Sequence, residues 1–222
     1  MDPELKACMG RVLEMAQRPR PGSTSESEPS CTPTPEELAK ADRSKRRQRA
    51  ELAGVPARFL DVEPESIDPG LRSQCQGWEN GGLFLHGPPG TGKTHLAVAL
   101  LKQVKRTQGD RFITVASLLL ELRNSFRDGA AKSEMEIIDH FSSANIVVLD
   151  DLGVEKASEF ALQSLYIIID KRYSEMRPTI ITSNLALEEV AEKVGDRIAS
   201  RIAGLCRVIE LKGRDRRLSP AP

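Results

Sequence analysis

The sequence predicts an α/β fold in three layers: a parallel sheet covered by helices on both faces. Three observations carry this. From Leu83 onward, short apolar runs alternate with stretches of helical length. The runs are apolar throughout, as strands buried on both faces are. The first ends in "GPPGTGKT" (87–94), a glycine-rich turn between a strand and a helix.

The elements follow in order. Residues 4–17 can form a short helix with Leu5, Met9, Val12 and Leu13 on one side. Residues 18–35 collect Pro, Ser, Thr and Gly and read as a flexible linker. Thr34, Pro35 and Glu37 match an N-cap, a first helical position and a capping box. The helix they open runs into Lys40, Arg43, Lys45, Arg46, Arg47 and Arg49. That run fits a solvated face, a phosphate-backbone contact or a protein contact.

"LFLH" (83–86) is a strand and 94–106 a helix. "RFITVAS" (111–117) is a strand, followed by helices over 118–126 and 131–143. "NIVVLDD" (145–151) is a buried strand. Residues 159–175 are helical: "YIII" alone suits a strand, but length and the polar flanks decide for helix. Residues 178–183 form a strand, 187–203 one helix and 206–211 a last strand.

Bulk properties bound the function. The 222 residues carry 32 basic and 32 acidic side chains, which excludes a uniformly basic surface but not a local basic strip. Cys8, Cys31, Cys75 and Cys206 form no CxxC pair, so neither a zinc site nor a disulfide framework is expected. The N-terminus lacks a secretion signal, and no run reaches the roughly 18 apolar residues that span a bilayer. A soluble cytoplasmic protein is expected.

The chemistry concentrates in three places. In the 87–94 turn, Gly87, Gly90 and Gly92 let the backbone aim N–H groups at phosphates, with Pro88, Pro89 and Thr91 completing the cradle. Lys93 reaches the β- and γ-phosphates and Thr94 ligates Mg²⁺, while His95 lines the pocket from the helix. Asp150 ends the "NIVVLDD" strand where it can hold Mg²⁺, and Asp151 is placed to orient or deprotonate water. Asn184, just past "PTIITS", can bond both the γ-phosphate and that water. The reaction these groups suit is in-line attack of water on a γ-phosphorus.

"GDRIASRI" (195–202) places Arg197 and Arg201 four apart on one helical face. That face can look at solvent, at the chain's own core, or at the phosphates of a nucleotide held by another subunit.

Together, "GLFLHGPPGTGKTHLAVAL", "NIVVLDDLG", "TIITSNL", "GDRIASRI" and "VIELKGRDRR" resemble an AAA+ ATPase, of the group containing the DnaC/DnaI-type helicase loaders and the IstB-type transposition helpers. "GVPARFLDVEP" (54–64) resembles that group's lead-in segment. The resemblance implies a sheet of order 5-1-4-3-2, Walker A at 87–94, Walker B at 146–151 and Asn184 as sensor 1. It implies an arginine finger at Arg201, with Arg197 accessory, and a lid that is reduced or absent. It divides the chain into 1–53, an N-terminal helix, linker and basic partner-binding helix; 54–217, the ATPase core; and 218–222, a tail.

The activity implied is slow ATP hydrolysis stimulated by assembly. The partners implied are a replicative helicase with single-stranded or double-stranded DNA and further copies of the chain, or alternatively a transposase on target DNA. Arg214, Arg216 and Arg217 fit either a nucleotide or nucleic-acid contact or a charged tail. "RNSFRDGAAKS" (123–133), with Arg123, Arg127 and Lys132, is either the DNA element or an ordinary hairpin turn. Trp78 reads as a packing residue, and the composition does not support an aromatic stacking surface.

Overall fold

The computed structural model describes residues 34–104, 109–127, 129–153 and 158–216. The expected 4–17 helix, most of the linker, Cys8, Cys31 and Arg217 lie outside them. The chain divides into Met1–Leu38 and Ala39–Pro222. In the first unit, the Glu37 N–H donates to Thr34 Oγ1 and the Thr34 N–H to Glu37 Oε2, the expected capping box at the start of α1 (Pro35–Leu52).

Five parallel strands build the sheet: β1 (Gly82–His86), β2 (Arg111–Thr114), β3 (Val147–Leu152), β4 (Thr179–Ser183) and β5 (Cys206–Glu210). Their order is β2-β3-β4-β1-β5, the expected 5-1-4-3-2 read from the other edge. Successive side chains point to opposite faces and feed two cores. Leu83, Leu85, Val148 and Ile180 pack with α3 (Lys93–Gln103) through Leu96 to Leu101. Phe84, Val147, Leu149 and Ile181 pack with α4 (Val115–Asn124), α5 (Glu134–Ser142) and α6 (Glu159–Ser174).

Several boundaries differ from the sequence reading. The strand expected over 111–117 stops at Thr114, whose hydroxyl accepts from the Ser117 N–H and caps α4. The helix expected to reach 106 ends at Gln103. The single helix expected over 187–203 is two, α7 (Leu187–Val194) and α8 (Asp196–Leu205). Gly195 separates them at φ +95°, a conformation other residues reach only with strain.

The lead-in segment is pinned to α3 by Lys102, a buried ammonium that donates to Leu60 O and Val62 O and lies 3.3 Å from Glu63 Oε1. Much of the basic run in α1 faces the same segment. Arg46 pairs with Asp42, Glu63 and Glu65; Arg43 lies 3.8 Å from Glu63; Arg47 bonds Asp61; and Arg49 lies 3.7 Å from Asp110. Lys40 and Lys45 are exposed. On the opposite face, Arg172 is fully buried and donates to the carbonyls of Phe141, Ser142, Ala144 and Pro178 and to Thr179 Oγ1. It thereby ties the end of α5 to the start of β4.

Among the described residues, no helix is long and apolar enough to cross a membrane.

Candidate functional site

A cleft of about 490 Å³ opens at the C-terminal ends of β1, β3 and β4, where open parallel sheets bind ligands. The phosphate loop forms its floor. Gly87 (φ +137°) lies against the Leu211 carbonyl and Gly90 (φ +76°) against the Asp215 carboxylate, so close that a Cβ at either position would collide. The Arg216 N–H donates to Gly90 O (3.0 Å), so the chain after β5 straps the loop down. Thr91 Oγ1 donates to Pro88 O. Lys93, only 7% exposed, donates from Nζ to Gly87 O (2.7 Å) and Pro88 O (2.9 Å). The N-terminus of α3 opens behind it and contributes partial positive charge.

Asp150 sits across the cleft. It accepts Thr94 Oγ1 (2.9 and 3.2 Å to its two oxygens) and Thr182 Oγ1 (2.7 Å). Burial pushes its carboxyl up, and Asp151 adds to this; the two hydroxyl bonds and Lys93 act in the opposite sense.

In a regular strand, Asp150 and Asp151 would point to opposite faces. Here the β3–β4 register shifts between Leu149 and Leu152, and Asp151 takes φ +64°. This bulge turns both carboxylates into the cleft. The Asp151 N–H donates to Thr182 Oγ1 (2.9 Å), and Asn184 Nδ2 donates to Asp151 Oδ1 (3.0 Å).

The donor set fits a magnesium nucleotide. Thr94 and Asp150 present hydroxyl and carboxylate oxygens to one point, the hard ligands Mg²⁺ takes in ones and twos beside substrate phosphates. Among the described residues, no group of three or more His, Cys, Asp or Glu forms a metal cage.

The cleft thus brings together Pro89, Gly90, Gly92, Lys93, Thr94, His95, Asp150, Asp151 and Asn184. Gly87, Pro88 and Thr91 support it through the loop. His95 Nε2 lies 2.9 Å from Ser66 Oγ, and burial, with Arg216 nearby, lowers its pKa and favours the neutral ring.

Four further residues line the cleft: Arg58, Phe59, Thr182 and Arg216. Arg216 is one of the arginines the sequence left between nucleotide and tail. Thr182 carried a signal, since it lies two residues before Asn184 on the strand that leads to it. Arg58 and Phe59 lie too far along the chain for any local pattern to place them.

Arg197 and Arg201 do not line the cleft. Arg201 Nε donates to Asp170 Oδ1 (2.5 Å), and Arg197 borders a separate groove between α6 and the α7–α8 junction.

Residues 71–220, more than half of the chain, match the model of the family described as IstB-like ATP binding protein. The chain belongs to this family. The curated proteins and solved structures it is similar to include replication proteins and a protein of an insertion sequence. The chain is 32% identical over 121 residues to the replicative helicase loader DnaC of Escherichia coli K12, covering 54% of this chain and 49% of that one. It is 32% identical over 142 residues to the ATP-binding protein of insertion sequence IS5376 from Geobacillus stearothermophilus, covering 61% and 55%. The crystal structure of the DnaC helicase loader superposes with a TM-score of 0.60 at 27% identity, covering 71% of this chain and all of that one. The structure of DnaI gives 0.60 at 27% identity, covering 72% and 93%. The chain spans about half the length of the curated relatives it matches. Family membership and the AAA+ fold support nucleotide binding and hydrolysis.

Outside the cleft, the α4–α5 turn carries exposed Arg123, Arg127 and Lys132. Phe126, 60% exposed, meets Phe160 edge to face with centroids 4.6 Å apart. The two rings stand 34 positions apart in the chain and meet at the surface. Trp78 is buried, as a packing residue should be. Cys75 and Cys206 are free and buried.

Proposed function

We propose that this protein is an ATP-hydrolysing switch of the helicase-loader type, whose nucleotide state controls assembly with a replicative helicase on single-stranded DNA. One observation carries the reading: a single cleft gathers Lys93, Thr94, Asp150, Asp151 and Asn184. In this reading, residues 54–217 are the ATPase core, residues 1–53 bear the partner-binding segment, and 218–222 form a tail.

The loop N–H groups and Lys93 bind the phosphates, and Arg216 adds a second cation from the strap. Thr94 and Asp150 hold Mg²⁺, which supplies Lewis-acid charge at the phosphoryl oxygens. Asp151 accepts a proton from water as its oxygen bonds to the γ-phosphorus, and the bridging oxygen leaves with ADP. Asn184 fixes Asp151 through its amide and holds the water in line. Arg201 of a neighbouring subunit neutralises charge on the transferring phosphoryl group, with Arg197 as an accessory contact. DNA lies along Arg123, Arg127 and Lys132, with bases on the Phe126–Phe160 pair.

A second reading, a transposition helper acting with a transposase, is favoured by the similarity to the IS5376 protein.

The deciding experiment supplies purified replicative helicase, ATP and circular single-stranded DNA. The loader reading expects this protein to place helicase on the circle, scored by unwinding of an annealed strand, and expects Lys93→Ala to abolish the gain. No gain from the unaltered protein overturns it.

A further inference from the structure

We infer that Asp170 and Tyr173 hold Arg201 in place for a neighbouring subunit's nucleotide, so that Asp170 is a positioning residue for hydrolysis. This rests on the reading of Arg201 as the trans arginine.

Tyr166, Asp170 and Tyr173 recur at spacings of four and three and share one face of α6. That face packs on α8. Asp170 Oδ1 receives Arg201 Nε at 2.5 Å and lies 3.4 Å from the Tyr166 hydroxyl. The Arg201 guanidinium lies over the Tyr173 ring, 5.1 Å from its centroid. Gly204, one turn along α8, makes this possible: a Cβ there would come within 2.7 Å of Tyr173 Cε2. A carboxylate beneath, a ring beside and a glycine that admits the ring all serve one side chain.

Stability does not account for the arrangement. Arg201 and Asp170 are each more than a third exposed, and surface ion pairs of this kind add little to folding. What they do is orient. A free arginine samples many rotamers and must lose them on reaching a phosphate. Holding the guanidinium at Nε, the nitrogen nearest the chain, removes that loss before subunits meet. Tyr166 also borders the groove that contains Arg197, so the support for Arg201 and the accessory arginine share a wall.

The test mixes two kinds of subunit on single-stranded oligothymidylate. Lys93→Ala chains lack their own site but donate Arg201; Arg201→Ala chains keep a site but lack the donor. The mixture is expected to regain turnover that neither has alone. Donors carrying both Lys93→Ala and Asp170→Asn are expected to restore about tenfold less, with KM for ATP unchanged, because small misplacement of a charge costs rate rather than binding. Donors with Asp170→Glu are expected to restore most of it. Denaturant midpoints of the donors check that each is folded. If the Lys93→Ala donors restore nothing, the trans-arginine reading fails. If they restore turnover and the Asp170→Asn donors match or exceed them, that reading stands and the positioning role is overturned.

Discussion

Asn184 donates from Nδ2 to Asp151 Oδ1 across 3.0 Å, joining the ends of β3 and β4 at the mouth of the cleft. The bond fixes a carboxylate that already sits at φ +64°, a conformation costing a non-glycine residue about 1 kcal/mol or more. Strain at this site and nowhere else in β3 is what allows two consecutive aspartates to serve one cleft.

Asp151→Asn is expected to keep this backbone, since asparagine tolerates positive φ. It removes the base. Turnover should fall about 100-fold or more while ATP affinity changes little. Single-turnover hydrolysis and nucleotide titration read the two separately. An unchanged rate would sink the role given to Asp151.

Thr182→Val removes the hydroxyl that donates to Asp150 and accepts from the Asp151 N–H. A buried carboxylate loses one donor and a backbone N–H its acceptor, a cost of about 1–3 kcal/mol. The denaturant midpoint should drop, and the Mg²⁺ concentration needed for half-maximal nucleotide binding should rise. Thr182→Ser should restore both.

Two surface variants separate stacking from charge in DNA binding. Phe126→Ser should weaken single-strand affinity by about 1–3 kcal/mol with the salt dependence intact. Arg127→Ala should flatten the slope of log affinity against log salt by about 0.7. Binding measured at several salt concentrations distinguishes them; identical effects from both would refute the assignment.

Arg172→Ala should cost about 3–5 kcal/mol of stability, because four carbonyls and a hydroxyl lose a buried partner at once. Urea unfolding measures it. Lysine should not rescue, since a point ammonium cannot span the positions the fork reaches.

Burial pushes the Cys75 thiol up to about 11 and the Cys206 thiol to about 12, from an ordinary value of 9.0. The folded chain therefore keeps these protons after the unfolded chain has lost them. Their contribution is complete below pH 9 and declines as pH climbs towards about 11 for Cys75 and about 12 for Cys206. Unfolding midpoints at pH 8 and 10 should show the loss, and a Cys75→Ala, Cys206→Ala double variant should flatten it.

The sequence by itself determined the three layers, the strand order through the family's motifs, and the residues of the phosphate loop. Apolar runs and helical spacing are local patterns, and "GPPGTGKT" needs only its own neighbours to define it. The capping box at Thr34 and Glu37 was legible for the same reason. Local patterns also misled at "RFITVAS" and at 187–203, where a threonine cap and a glycine break override the apolar periodicity that flanks them.

Only the tertiary structure decided the rest. It put Asp151 beside Asp150 through a bulge set by pairing with β4, a strand about 30 residues away. It brought Thr182, Arg58, Phe59 and Arg216 to the cleft, showed Phe126 and Phe160 as one exposed pair, and turned Arg46 and Arg47 of a basic run onto the lead-in acids. It also set Arg201 on Asp170 and Tyr173, outside the cleft of its own chain. Apart from the two adjacent aspartates, whose shared facing depends on β4, each is a relation between side chains distant in sequence, fixed by how strands register and helices pack.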